Sequence, residues 1–205
     1  MRYTPQHKEE TRERILRAAA RQFRERGFAE TGVASVMKEA ELTHGGFYAH
    51  FQSKDDLIAE VIHSGFDQVS DRFESRFDHL SGIDWLRVWV ERYLSDSHRD
   101  KTGEGCPFPA LAPEIARSGP VARTAFTEIF LKRLKKICSH IDAPADEAET
   151  RVFAAIAQMV GALMLSRALD EPLSTRVREA ASEASIRTLI GGQTSVDDQN
   201  ERGAS

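Results

Sequence analysis

The chain has 205 residues, 40% of them hydrophobic, with 28 Lys and Arg against 32 Asp and Glu for a formal net charge of -4. That is the composition of a globular protein long enough to bury a sizeable core, as one domain or two small ones. It excludes a disulfide framework, since there are only 2 cysteines, and the expectation is a reducing compartment. No unbroken apolar run approaches the roughly 18 residues of a membrane span, and the opening MRYTPQHKEETRER lacks the apolar core of a signal peptide, so a cytoplasmic protein is expected. Overall acidity argues against a nucleic-acid partner, but the distribution of charge reverses the argument. Residues 1–54 hold 10 Lys and Arg against 7 Asp and Glu, a net +3, while residues 55–205 carry -7. A basic end attracts phosphate, and an acidic remainder is repelled by it and orients the molecule.

In chain order, Ile15, Leu16, Ala19, Ala20 and Phe23 recur at helical spacing, with arginines on the other faces. The expected first helix starts at Thr4-Pro5 or nearer Lys8 and ends at Gly27. Thr31-Gly32 opens a shorter helix with Val33, Val36, Met37 and Ala40 as its apolar positions. A turn at Glu41-Leu42-Thr43 leads into a third, polar helix, LTHGGFYAHFQSK. Ser53 followed by Asp55 and Asp56 reads as a cap for a long helix over 54–80. Further helices are predicted over 83–96, 108–118, 120–141, 145–169 and 173–190, with 97–109 irregular and Gly191-Gly192 as the final stop. The tail 191–205 carries too little apolar surface to offset ordering entropy and is expected to be disordered. No run alternates as a strand does, so the fold class is all-α.

The spaced set Ile15, Ala18, Ala19, Phe23, Gly27, Phe28, Thr31, Val36, Ala40, Leu42, Thr43, Gly45, Phe47, Tyr48, His50, Phe51, Ser53, Lys54 and Leu57 resembles the DNA-binding domain of the TetR/AcrR family of transcriptional regulators. The resemblance covers about a quarter of the chain. It implies an N-terminal three-helix helix-turn-helix domain over 1–54, joined by a long helix to a C-terminal effector-binding and dimerisation domain over 55–190. The implied function is a sequence-specific transcriptional regulator, more often a repressor, released from a palindromic operator by a small effector.

In helix-turn-helix proteins the second helix of the motif enters the major groove. On this chain Thr43 would cap that helix, and His44, Gly45 and Gly46 would form its tip near base edges. The resemblance implies phosphate contacts from Tyr48 and His50, and Lys54 with the adjacent helix start would hold a further oxyanion. Arg2, Lys8 and Arg12 would reach the backbone or an adjacent groove, or serve only to solubilise. Phe47 and Phe51, four apart, read as anchors to the first helix. Three positions depart from the family pattern: Gly32 lacks a capping hydroxyl, Glu41 stands where the turn usually has glycine, and Gly46 weakens the helix by about 1 kcal/mol.

Specific recognition by so small a helix needs two copies, so a homodimer is expected. Ala154, Ala155, Ala157, Gly161, Ala162 and Ala168, with Ala180, Ala181 and Ala184, would let helices approach closely across it. Trp85, Trp89, Tyr93, Phe108, Phe126, Phe130, Met159 and Leu163, with Met164 beside them, lie on helices that surround a ligand cavity in this family, and the expected effector is small and largely apolar. Such a stripe equally describes an ordinary core. Cys106, in TGEGCPFP before a helix, is a candidate redox or alkylation sensor, whereas Cys138 falls on an apolar stripe and is expected to be buried and inert. No metal-ligand spacing, cofactor motif or phosphate loop is present in the sequence, so an enzyme is the minor alternative, beside a helical interaction module without operator binding.

Overall fold

The computed structural model describes the backbone of residues 5–191 and the side chains of all of these but Pro5 and residues 65–72. Thr4 and the tail 192–205 lie outside the described residues, as does Arg2. The described residues are helical, with short 3-10 segments and no strand. They pack as two compact units, Met1–Asp78 with Ser95–Arg133, and His79–Leu94 with Leu134–Ser205.

In the first unit, α1 (Pro5–Glu30) buries Ile15, Ala19 and Phe23. It was expected to stop at Gly27, and its helical conformation does break there, at φ 80 and ψ 175. The chain then takes one further turn, because the Thr31 hydroxyl donates to the Gly27 carbonyl at 2.7 Å and Phe28 turns edge-on to Phe23 at 5.1 Å. The helix α2 (Val33–Glu39) buries Val36 and Met37. A 3-10 segment (His44–Ala49) separates it from α3 (Lys54–Glu74), whose start is capped as expected, the Ser53 hydroxyl accepting from the Asp56 amide at 3.0 Å. The long helix ends at Glu74 rather than 80: the Phe77 amide donates back to the Glu74 carbonyl, and Phe77 is buried edge-on to Phe73.

The segment expected to be irregular holds local structure. Ser95 caps α5 (Asp96–Asp100) through its hydroxyl, which ends the preceding helix α4 (Gly82–Tyr93) earlier than predicted. A 3-10 turn (Thr102–Glu104) follows, then α6 (Pro107–Ile115), which uses Pro107 in its first turn where no amide donor is needed, and α7 (Pro120–Cys138). Glu74 is fully buried and paired with Arg133.

In the second unit, α8 (Ala145–Ala168) and α9 (Leu173–Ile190) form an antiparallel pair. Ser174 donates to the Ser166 carbonyl at 2.7 Å, Ser185 to Gln158 at 3.2 Å, and Arg151 to the Ile190 carbonyl at 3.2 Å. The helix α4 packs on α9, and Arg178 donates to the Leu94 carbonyl at 3.0 Å. α8 is long enough and on average apolar enough to cross a membrane, although Arg151, Gln158 and Arg167 interrupt it and leave no unbroken apolar run of that length. Val152, Ala155, Ile156, Met159, Ala162 and Leu163 form its buried face, as in a core helix.

Candidate nucleic-acid interface

The motif is assembled on α1 by polar groups that hydrophobic periodicity does not reveal. Gln22 is nearly fully buried; its amide nitrogen donates to the Ser35 carbonyl at 3.1 Å and to Glu39 at 2.6 Å, and its oxygen accepts from the Ser35 hydroxyl at 2.8 Å. That side chain fixes α2 across α1. Arg14 closes the other end of α2, donating to the Ala40 carbonyl, and lies 3.6 Å from the Glu41 carboxylate. Both residues fall among the solvent-facing positions of a simple helical pattern, so only their bulk near the apolar stripe could have flagged them.

Glu41 occupies the left-handed region, with φ 56, as its place in a turn that usually holds glycine suggested. Its amide donates to the Lys38 carbonyl at 3.1 Å, and the Leu42 amide donates to the Met37 carbonyl at 2.9 Å. Gly32 is the N-cap of α2 without a side-chain bond; its carbonyl accepts from the Ser35 and Val36 amides and shares the single Ser35 hydroxyl proton with Gln22.

The third element is a 3-10 helix, not an α-helix, and Thr43 does not cap it through its hydroxyl. The Thr43 carbonyl accepts from the Gly46 amide at 3.0 Å, closing the tighter turn directly. Gly45 and Gly46 remove the side-chain contacts that favour a full α-turn, and so short a segment tolerates the 3-10 form. Phe47 and Phe51 are buried as expected and stack at 5.6 Å, holding the element to the core. On the outer side Tyr48 is 67% exposed, with His44 edge-on at 6.3 Å. A Cβ built at Gly45 would meet nothing within 4 Å, so that backbone is open to close approach.

His50 ends the 3-10 element half-buried, and its Nδ1 is buried with no hydrogen-bond partner among the described residues. Burial, then the positive charges of Lys8 and Arg12, hold its pKa below the usual imidazole range, against a weaker pull from Glu9. Arg12 is held at 2.8 Å from Glu60 and lies 5.2 Å over the Phe51 ring. Lys8 is exposed. The Lys54 ammonium donates to the Phe28 carbonyl at the end of α1, and Asp56 accepts the Gln52 amide at 3.0 Å, so this helix start is already tied to its own protein.

The eight effector candidates divide between the units. Trp85, Trp89, Tyr93, Met159 and Leu163 are buried in the second, with Trp85 and Trp89 stacked at 5.9 Å. Phe108, Phe126 and Phe130 belong to the first, with ring centroids 5.2 and 5.5 Å from Phe108. A cleft of about 400 Å³ contains none of the eight: it has a polar wall of Arg21, Glu25, Asp100, Lys101, Thr102, Gly103 and Glu104.

Cys106 is the N-cap residue of α6, half-buried, and its amide donates to His98 Nε2 at 2.8 Å. Arg24 reaches this loop, its Nε donating to the Gly103 carbonyl at 2.9 Å. Burial pushes the Arg24 pKa down to about 10, with the Cys106, Glu25 and Glu104 charges opposing that shift. Cys138 is half-buried rather than buried, and desolvation, then Glu149, raises its thiol pKa.

Residues 15–61 match the model of the family described as bacterial regulatory proteins, tetR family. The chain is 45% identical over 53 residues to the uncharacterized HTH-type transcriptional regulator YdgC of Bacillus subtilis, covering 26% of this chain and 27% of that one. The chain thus spans only about a quarter of that relative's length. Against the HTH-type transcriptional regulator UidR of Escherichia coli it is 26% identical over 191 residues, 89% of this chain and 92% of the other. A solved transcriptional regulator from Saccharomonospora viridis in complex with choline superposes with a TM-score of 0.68 at 20% identity, covering 85% of this chain and 95% of that one. The matched segment coincides with the helices, left-handed turn and phenylalanine-anchored 3-10 element described above, and over residues 15–61 the chain carries the N-terminal domain of the tetR family of bacterial regulatory proteins.

Proposed function

We propose that this protein is a sequence-specific transcriptional regulator, a cytoplasmic repressor that binds a palindromic operator as a homodimer. The observation that carries this reading is the outward pairing of His44 and Tyr48 beside the open backbone of Gly45, on an element pinned from behind by Phe47 and Phe51. Residues 1–54 form the reading head. His44, Gly45 and Gly46 approach base edges, Thr43 and Tyr48 hold phosphates, and His50 and Lys54 reach the backbone on either side, Lys54 by exchanging its bond to Phe28.

Two heads are joined through α8 and α9. Phe153, Met164, Leu165, Leu169 and Leu173 are all more than a third exposed, an apolar strip that supports a partner surface, with Ala154, Ala157 and Gly161 providing close approach. Residues 55–190 also receive the release signal. One candidate signal is a small, largely apolar effector seated among the aromatic residues of either unit, and the choline complex of the Saccharomonospora viridis regulator supports a small-molecule ligand. The other is oxidation or alkylation of Cys106, whose loop is bonded to α1 through Arg24 and Gly103.

The test is selection of operators from random duplex DNA, repeated after a mild oxidant or thiol alkylator. An enriched palindrome establishes the dimeric reader; its loss on treatment of the wild type but not of Cys106→Ser assigns the sensor. Tyr48→Phe weakens all sequences alike, whereas His44→Ala shifts sequence preference. No enrichment under any condition overturns the regulator reading.

A further inference from the structure

His50 closes the reading element against α1 in a setting that stores an electrostatic preference. Its Nδ1 is enclosed without a hydrogen-bond partner among the described residues, so a second ring proton there would meet no acceptor. From α1, Lys8 and Arg12 present positive charge to the ring and Glu9 a negative one; from α3, Glu60 reaches the same group through its 2.8 Å pair with Arg12. Lys8 and Arg12, the latter shared with Glu60, outweigh Glu9 and disfavour the imidazolium while that cluster awaits an anion.

We propose that His50, Lys8 and Arg12 form one phosphodiester-binding cluster, and that its occupation by a DNA phosphate is coupled to uptake of a proton at His50. This rests on the proposed DNA-binding function and adds to it a pH dependence located at one residue. The coupling follows from what changes on binding. The cost of enclosing a protonated Nδ1 is present with and without DNA, so it sets where the ring titrates and cancels from the difference. The phosphate adds a negative charge beside the imidazole and offsets the repulsion from Lys8 and Arg12, and both effects favour the imidazolium. By linkage, a site whose ligand raises a group's proton affinity binds that ligand more tightly as pH falls through the bound-state titration, and levels off below the unbound one. A displacement of one pKa unit corresponds to about a tenfold change in affinity.

Because a phosphate contact carries no sequence information, the probe is a mixed-sequence duplex of about two helical turns, titrated by fluorescence anisotropy at fixed ionic strength. For the wild type the expected result is affinity about tenfold tighter near pH 5.5 than near pH 7.5, with net proton uptake in calorimetry across buffers of different ionisation enthalpy. His50→Gln keeps a neutral donor but has no proton to take up, so whatever affinity it keeps near pH 7.5 it should lose most of the pH dependence. Lys8→Gln changes an exposed residue. It removes a repulsion that DNA otherwise offsets, and it should reduce proton uptake together with the salt dependence of binding. Full pH dependence in His50→Gln, or proton uptake unchanged in both variants, overturns the inference while leaving the DNA-binding reading intact. Absence of duplex binding at every pH overturns both.

Discussion

Replacing Gly27 by alanine tests the joint between α1 and α6. The residue adopts φ 80 and ψ 175, a region open essentially to glycine, and forcing a Cβ into it costs roughly 1–3 kcal/mol. An ideal Cβ would stand 2.9 Å from Glu114 Cδ, closer than real Cβ contacts come, so the carboxylate must leave. Glu114 accepts the Phe28 amide, and losing a hydrogen bond to a charged acceptor costs about 1.5–3 kcal/mol more. The expected total for Gly27→Ala is therefore about 2.5–6 kcal/mol, read from the urea midpoint by far-ultraviolet circular dichroism. The two contributions separate in a double-mutant cycle. With Glu114→Ala already in place the alanine at 27 meets no carboxylate, and its cost should fall to the backbone part, about 1–3 kcal/mol. A single-variant cost below about 1 kcal/mol, or strict additivity of the two changes, would refute the reasoning.

Glu41→Gly removes the strain of a left-handed glutamate, about 1–2 kcal/mol, against the extra chain entropy of glycine, about 0.5–1 kcal/mol; the urea midpoint should rise slightly, and a loss above 1 kcal/mol would contradict the turn geometry. Glu74→Ala leaves the Arg133 guanidinium buried without its carboxylate and should cost about 3–5 kcal/mol, with Glu74→Gln intermediate in thermal unfolding. Phe47→Ala removes a fully buried ring and should destabilise by about 3–5 kcal/mol, whereas Tyr48→Phe, at an exposed position, should leave the melting temperature unchanged and lower only duplex affinity. Leu165→Arg should yield monomers in sedimentation if the α8–α9 strip is the self-association surface, and an unchanged sedimentation coefficient would exclude it.

Helices with strong apolar periodicity were legible to within a few residues: α9 begins and ends where predicted, and α8 differs by one residue. What periodicity could not show is where a backbone bond outweighs it. Ser95, inside the predicted helix 83–96, starts a new helix that runs into the segment glycines and prolines mark as irregular, and Phe77 folds back onto Glu74 because its ring gains more by burial than by extending the helix. In the candidate site, Phe47 and Phe51 were legible because a spacing of four puts two rings on one face of an α-helix, and both are buried although the 3-10 turn ends at Ala49, before Phe51. The same tolerance hid the helix type: an apolar pair so close together cannot distinguish 3.6 residues per turn from 3.0. The effector candidates were legible only as apolar, since aromatic side chains at helical spacing satisfy a solid core and a cavity wall equally.

The structure also changes the meaning of the charge pattern. A net +3 over residues 1–54 suggested a surface held to DNA by arginine, yet most of those cations already have employment inside the protein. Arg12 pairs with Glu60, Arg14 holds the Ala40 carbonyl, Arg17 and Arg21 pair along α1 with Glu13 and Glu25, Arg24 holds Gly103, and Lys54 holds Phe28. These bonds shape the head, and each must be exchanged before its cation can hold a phosphate directly. Contacts that need no such exchange include the exposed Lys8 as well as neutral donors, Tyr48 and the open backbone at Gly45, which release no counterions. On the proposed function such a head would gain only modestly from unspecific attraction, and two heads at a fixed spacing would supply a geometric requirement that one cannot.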